Sequence, residues 1–316
     1  MSTLVPGIHH LTAVASDPQR NIDFYTGALG LRLVKLTVNF DDPSSYHLYY
    51  GDRSGSPGTL LTFFPHRGLP RGRTGAGQVT ATALAVPASS LDFWRRRLDE
   101  FDVGHTDAGE RFGETVVALE DPDGMPLELI GVEGLEADAE NVFDGVVPAH
   151  SAVRRMHSVT MTVRSLDATS RLLTETLGMQ ASGAEGERTR YAMAQGGAGA
   201  MVDVRSGTDD PAGRRGAGIV HHVAWRTPDD ESQITLRNDL ASLAHNVTTV
   251  QERCYFRSIY FLEPGGVLFE IATDGPGMAI DESVEELGSA LRLPPWFEGR
   301  REEIEKALPK VRLPGG

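Results

Sequence analysis

Ile8-His-His-Leu-Thr-Ala-Val14 returns as Met156-His-Ser-Val-Thr-Met-Thr-Val163, and again as Val220-His-His-Val-Ala-Trp225. Each run is apolar and β-branched enough to be a strand. The elements after each run repeat as well. After the first, Asp17-Pro18 opens a helix over Arg20–Leu29 that Gly30 stops. Three strand-like runs come next, Leu31–Asn39, Tyr46–Gly51 and Thr59–Phe64. The same order of strand, helix and three strands returns from Val79, from Arg155 and from Gly218. The fourth strands match too, Asp121-Pro-Asp-Gly-Met-Pro-Leu-Glu-Leu129 against Glu263-Pro-Gly-Gly-Val-Leu-Phe-Glu-Ile271. Internal repetition at this period decides the architecture before any single element does. The chain reads as α+β, with four βαβββ units at 7–65, 78–131, 155–205 and 218–273.

The half-chain boundary falls near 150, giving pairs at 1–150 and 151–275. The linkers are 67–77, 131–153 and 206–217. Within them, 69–77 and 208–216 are rich in Gly, Arg and Asp and read as mobile loops. Residues 276–316 form a helical tail outside the repeats, with helices expected at Ser283–Leu291 and Glu298–Leu308. The tail reads either as a clamp over a sheet edge or as a lid that brings Trp296 or Phe297 into a site.

The 316 residues carry 40% hydrophobic and 23% charged side chains, as a globular protein does. The net charge of −14 argues against nucleic acid or an anionic membrane surface as main partner. A single cysteine, Cys254, allows no internal disulfide and suggests a reducing compartment. The segment Met1–Gly7 lacks the basic start and apolar core of a signal peptide. No apolar run reaches membrane-spanning length. The expectation is a cytoplasmic protein; a homo-oligomer stays open.

Glu270 is the one carboxylate in the apolar run Val267–Ala272. Burying it is costly unless a cation or donor meets it. His9-His10 and His221-His222 are the candidates. Strand side chains alternate, so one ring of each pair should face into a curved sheet and the other away. Two imidazoles and one carboxylate from separate strands match the triad that leaves three positions open on non-haem Fe(II). A single strand histidine is ordinarily a hydrogen-bonded core or surface residue; two pairs at equivalent repeat positions weigh against that here. His157, Glu128 and Asp203 occupy related positions in units two and three. With one imidazole they read as a degenerate, metal-free copy. Arg253 and Tyr260 precede Glu270 and could hold an anionic oxygen, or be a surface ion pair and a core aromatic. No Walker loop, dinucleotide fingerprint, Cys-x-x-Cys or nucleophile elbow is present.

With these residues in view, the sequence resembles the vicinal oxygen chelate superfamily. It is most similar there to dioxygenases that cleave hydroquinone rings. The stretches that carry the likeness are Gly7–Val14, Gly30–Asp41, Val220–Ala224, Tyr255–Tyr260 and Val267–Asp274, with Leu293-Pro-Pro-Trp296 in the tail. The resemblance implies βαβββ units paired into cupped mixed sheets, with unit one beside unit four. It implies Fe(II) on His10, His222 and Glu270, supported by His9, Thr12, His221, Arg253 and Tyr260. It implies a small aromatic diol and O2 as substrates, with His221 as acid–base partner, Tyr260 and Arg253 on the substrate oxyanion, and His9 and Thr12 orienting the ligands. Three other activities belong to the same fold: extradiol cleavage of a catechol, glyoxalase-like isomerisation or lysis, and metal-free binding of an aromatic or drug.

Overall fold

The computed structural model describes residues 5–138, 140–194 and 196–314. The part of the leader reading that rests on Met1–Leu4 lies outside the described residues. Unit one contains β1 (Ile8–Ala15), α1 (Pro18–Ile22), β2 (Arg32–Val38), β3 (Tyr46–Gly51) and β4 (Leu60–Pro65). Unit two contains β5 (Gln78–Pro87), α2 (Leu91–Glu100), β6 (His105–Arg111), β7 (Glu114–Glu120) and β8 (Pro126–Val132). Unit three contains β9 (Arg155–Val163), α3 (Leu166–Arg171), β10 (Gln180–Glu185), β11 (Arg188–Ala192) and β12 (Met201–Ser206). Unit four contains β13 (Ile219–Thr227), α4 (Asp230–Ser242), β14 (Gln251–Glu252), β15 (Arg257–Leu262) and β16 (Leu268–Thr273). The expected strand at 247–251 is thus regular only at its end.

The helices of units one and four are capped locally, the latter by Asp229. Asp17 caps α1 by accepting from the Arg20 amide at 2.9 Å, and Pro18 supplies a preset φ in the first turn. The helix then widens into a π-type turn over Asp23–Ala28. In every unit the first strand lies parallel to the fourth, with the helix as crossover. Two eight-stranded sheets result, ordered β14-β15-β16-β13-β1-β4-β3-β2 and β10-β11-β12-β9-β5-β8-β7-β6. Unit one therefore joins unit four through the antiparallel pair β1·β13, and unit two joins unit three through β5·β9. A helical face and one sheet face close the core, in which Trp94, Trp225, Tyr25 and Phe63 are fully buried.

The Gly/Arg linkers are ordered against each other rather than loose. The Arg73 amide donates to the Arg214 carbonyl at 2.9 Å and the return bond measures 2.8 Å. Ala76 and Gly213 continue the pairing. Glycine permits the crossing: a Cβ on Gly75 would stand 2.3 Å from the Pro211 carbonyl oxygen.

The tail is a clamp. Leu291 bridges Leu36 on β2, the exposed edge of the first sheet, and the Arg292 amide donates to the Leu36 carbonyl at 2.9 Å. This pairing is why the expected helix at Ser283–Leu291 does not form; only a short turn at Val284–Glu286 remains. Gly288 lies at φ +77°, pressed so close to Leu33 that an added Cβ would meet its carbonyl oxygen at 1.9 Å. The second helix does form, as α5 (Arg301–Ala307). Trp296 is 48% exposed and packs edge-on against Phe40, so neither it nor Phe297 lines the cavity over His10, His222 and Glu270.

Lys35 on β2 anchors the clamp. Its fully buried ammonium donates to Asp281 and to the equally buried Glu282. Lys35→Met leaves Glu282 with Arg292 alone, at 3.2 Å. The expected loss is about 3 kcal/mol, the scale of a broken buried ion pair. It is read as a lower urea midpoint at unchanged slope.

Candidate metal centre

The pair β1·β13 carries two irregularities. Ile8 pairs with Trp225 and His10 with Ala224, so His9 is an extra residue. Thr12 pairs with His222 and Ala13 with Val220, so His221 is the extra residue on the other strand. Such bulges re-aim side chains. They correct the expectation of simple alternation, because both rings of each pair come together. His9 Nδ1 meets His10 Nδ1 at 2.9 Å, and His221 Nδ1 meets His222 Nδ1 at 2.8 Å. The carbonyl freed at His9 accepts from the Gly58 amide at 2.7 Å.

The other nitrogens of His10 and His222 converge. Their Nε2 atoms lie 3.3 Å apart, and Glu270 Oε2 lies 3.4 Å from the first and 2.8 Å from the second. All three residues are buried. Yet among the described residues Glu270 Oε2 is left without a hydrogen bond of good geometry. With both Nε2 atoms unprotonated, three acceptors face one point. Metal bonds of about 2.1 Å at right angles would put neighbouring ligand atoms about 3.0 Å apart, which is the size of this triangle. Burial works against the Glu270 charge, and positive charge at His10 and His222 is what would hold its carboxyl well below the usual range. Burial, only partly offset by Glu270, lowers His222, which favours the neutral imidazole a metal requires. The other carboxylate oxygen, Oε1, accepts from Ser258 Oγ.

The hydrogen bonds behind the trio tie the tautomers of the four rings together. If His10 and His222 offer lone pairs at Nε2, their protons sit on Nδ1 and are donated to His9 and His221. His221 must then carry its own proton on Nε2. Although solvent reaches the His221 ring, surrounding protein, then His222 and Arg215, push its pKa down to about 3. Thr12 faces His222 across the strand pair, but its hydroxyl is bonded to Thr62 at 2.8 Å rather than to an imidazole. Tyr260 stands opposite Glu270, and Arg253 Nε donates to its hydroxyl at 3.1 Å. Burial and the Glu270 charge push that phenol far above its ordinary pKa, so it stays protonated. A cavity of about 300 Å³ opens over the trio. It also exposes His47, Tyr49, Phe64 and Phe256, which no pattern in the sequence singles out.

The register places a related position on the fourth strand of every unit: Thr62, Glu128, Asp203 and Glu270. In the second sheet Ala81 and Ser158 stand where His10 and His222 stand in the first, and His157 takes the place of an outer, bulged histidine. Its carboxylates are met by guanidinium groups. Arg111 clasps Glu128 at 2.6 and 2.7 Å, and Arg190 clasps Asp203 at 2.7 and 3.0 Å. In the first sheet Thr62 occupies the fourth position, and its short hydroxyl is already bonded to Thr12 and His47.

The sequence profile of the glyoxalase/bleomycin resistance protein/dioxygenase superfamily matches residues 7–129 and 155–271. The chain belongs to that superfamily. A Bacillus subtilis relative named "Putative ring-cleaving dioxygenase MhqO" is 46% identical over 98% of this chain and 97% of its own. The chlorohydroquinone/hydroquinone 1,2-dioxygenase of Sphingobium indicum is 35% identical over 96% of both chains. A crystal structure of a "putative dioxygenase" from Bacillus subtilis, 44% identical, covers 99% of each chain with a TM-score of 0.93. The crystal structure of maize glyoxalase I shares the fold at 16% identity and a TM-score of 0.62, over 85% of this chain and 92% of its own.

Two carboxylates at equivalent strand positions give a controlled comparison. Glu270→Gln should weaken divalent-metal binding by more than about 100-fold, beyond the loss typical of a residue that only supports a ligand. Glu128→Gln should leave it unchanged. Competition with a chromophoric chelator under argon measures both.

Proposed function

We propose that the protein is an Fe(II)-dependent dioxygenase that opens the ring of a hydroquinone, plain or substituted, with O2, and that His10, His222 and Glu270 hold the iron. The observation that carries this reading is the one-sided trio. Three buried acceptors converge, while the fourth related position is a threonine already engaged elsewhere. Such a set leaves room for a substrate oxygen and O2 on one ion. The named hydroquinone dioxygenase among the relatives supports the same chemistry. The single Cys254 fits a reducing compartment, and we assign the reaction to the cytoplasm as part of the same proposal.

Iron bound there would acidify a ring hydroxyl and bring it together with O2. The chain supplies the rest. His9 and His221 hold the two ligand rings in place through the Nδ1 contacts. With its proton on Nε2, His221 presents a donor to a developing oxygen anion. To act as a base it would first have to give up the contact with His222. Tyr260 stays protonated and can donate to the same anion, while Arg253, bonded to Tyr260 and Gln251 and paired with Asp41, adds positive charge at the rim. Thr12 is bonded to Thr62 and not to a candidate ligand, so it takes no orienting role in this reading. Phe256 packs within 5.0 Å of the His9 and His10 ring centres and excludes water from that side.

Oxygen uptake by protein reconstituted anaerobically with Fe(II) should be fastest with hydroquinones and slow with catechol. Faster uptake with catechol would replace the substrate assignment. Turnover of a thiol hemiacetal without O2 would replace the reaction class with isomerisation. His221→Phe should retain iron and lose about 10²-fold in turnover, the scale of a removed oxyanion donor. Unaltered kinetics would remove that role.

A further inference from the structure

His47 lies on β3 and has no part in the trio or its supporting contacts. Only 8% of it is exposed, and it lines the same cavity. Two aromatic rings clamp it, Tyr49 at 4.0 Å and Phe64 at 4.3 Å between ring centres. Its Nε2 is bonded to Thr62 Oγ1 at 2.9 Å, which in turn is bonded to Thr12 at 2.8 Å. The ring is therefore fixed in orientation. Its Nδ1 has no partner among the described residues, yet it is not sealed off with the buried unpartnered atoms. An unpartnered nitrogen that opens onto a cavity is free to exchange water for a hydrogen bond to a ligand. Burial, then His10 and His222, lowers the His47 pKa well below its ordinary value, so the ring is neutral and Nδ1 has one hydrogen-bonding role to fill.

Position narrows that role. His47 stands behind Thr62, on the side where the quasi-symmetric set offers no ligand. Its strand is two strands from β1, which carries His10, a lateral step of about 10 Å between backbones. A diol entering by the open side with one oxygen on the trio would send the opposite end of its ring toward His47. In a para-diol that end carries the second hydroxyl. In an ortho-diol both oxygens stay at the trio.

We infer that His47 Nδ1 is the hydrogen-bond partner of the second hydroxyl of a para-diol, and so sets the preference for hydroquinones over catechols. This rests on the hydroquinone reading of the site. Thr62 fixes which face of the imidazole looks into the cavity, which makes it a positioning residue.

The test is anaerobic calorimetry on Fe(II)-loaded protein with hydroquinone, phenol and catechol. Phenol lacks the second hydroxyl, and catechol holds it at the wrong place. Wild type should bind hydroquinone about tenfold more tightly than phenol, the value of one well-placed hydrogen bond. His47→Phe keeps the aromatic clamp; it should erase that tenfold and leave phenol and catechol unchanged. KM for hydroquinone should rise with it, and kcat should move less. Thr62→Val, which leaves Nδ1 in place, should lose a smaller part of the preference and keeps the proposal testable if His47→Phe does not fold. Equal weakening of all three ligands, or undiminished hydroquinone preference in both variants, overturns the role of His47. A wild type that binds hydroquinone no better than phenol, and binds catechol best, overturns the hydroquinone reading itself and this inference with it.

Discussion

The antiparallel pairing of β1 with β13 is the contact on which the candidate site depends. It closes the chain between residues 212 positions apart, His10 and His222, and brings their Nε2 atoms together. Closing a loop that long costs little more than closing one half its length, so the fold can use the two extremes of its repeats. Both irregularities of the pairing fall on histidines. Without them, strict alternation would put His9 and His221 on the face opposite their neighbours. With them, each ligand candidate has an imidazole bonded to its rear nitrogen.

The two sheets answer one electrostatic problem in different ways. Each buries carboxylates at the same strand position. In the second sheet, arginines neutralise Glu128 and Asp203 in two-pronged contacts, Arg111 from two strands away and Arg190 from the adjacent strand. In the first, Glu270 receives Ser258 on one oxygen, and its other oxygen faces two imidazole nitrogens without a hydrogen bond. A buried anion left in that state is costly. A divalent cation would satisfy the anion and both imidazoles together. Thus the same repeat gives an ion-paired core on one side and a ligand-poor cup on the other.

Much of this was legible in the sequence because the physics was local. The four units announce themselves through strand and helix periodicity, through Asp17 and Gly30 at helix ends, and through matching turns before Glu128 and Glu270. The misread segments were those whose partners lie far away. Gly-rich 69–77 and 208–216 resemble loose loops, yet glycine there permits two linkers to lie backbone against backbone. Ser283–Leu291 has helical composition, but its backbone groups turn to the edge of β2. His47 sits in a strand of ordinary composition, and only the neighbouring Thr62, Tyr49 and Phe64 give it a task.

By itself, the sequence determined that the chain consists of repeated βαβββ units and that two His-His pairs and one apolar-strand carboxylate stand apart from the rest. Periodicity and composition suffice for that, because each unit's elements are specified by residues close along the chain. Tertiary structure alone decided where the bulges fall, and therefore which nitrogen of each imidazole faces Glu270 and which faces its neighbour. It also decided that the Thr62 hydroxyl is taken up by Thr12 and His47, and that His221 meets His222 through Nδ1. Those properties arise from register across strands and from burial among groups distant in the chain, and neither is written in the order of the residues.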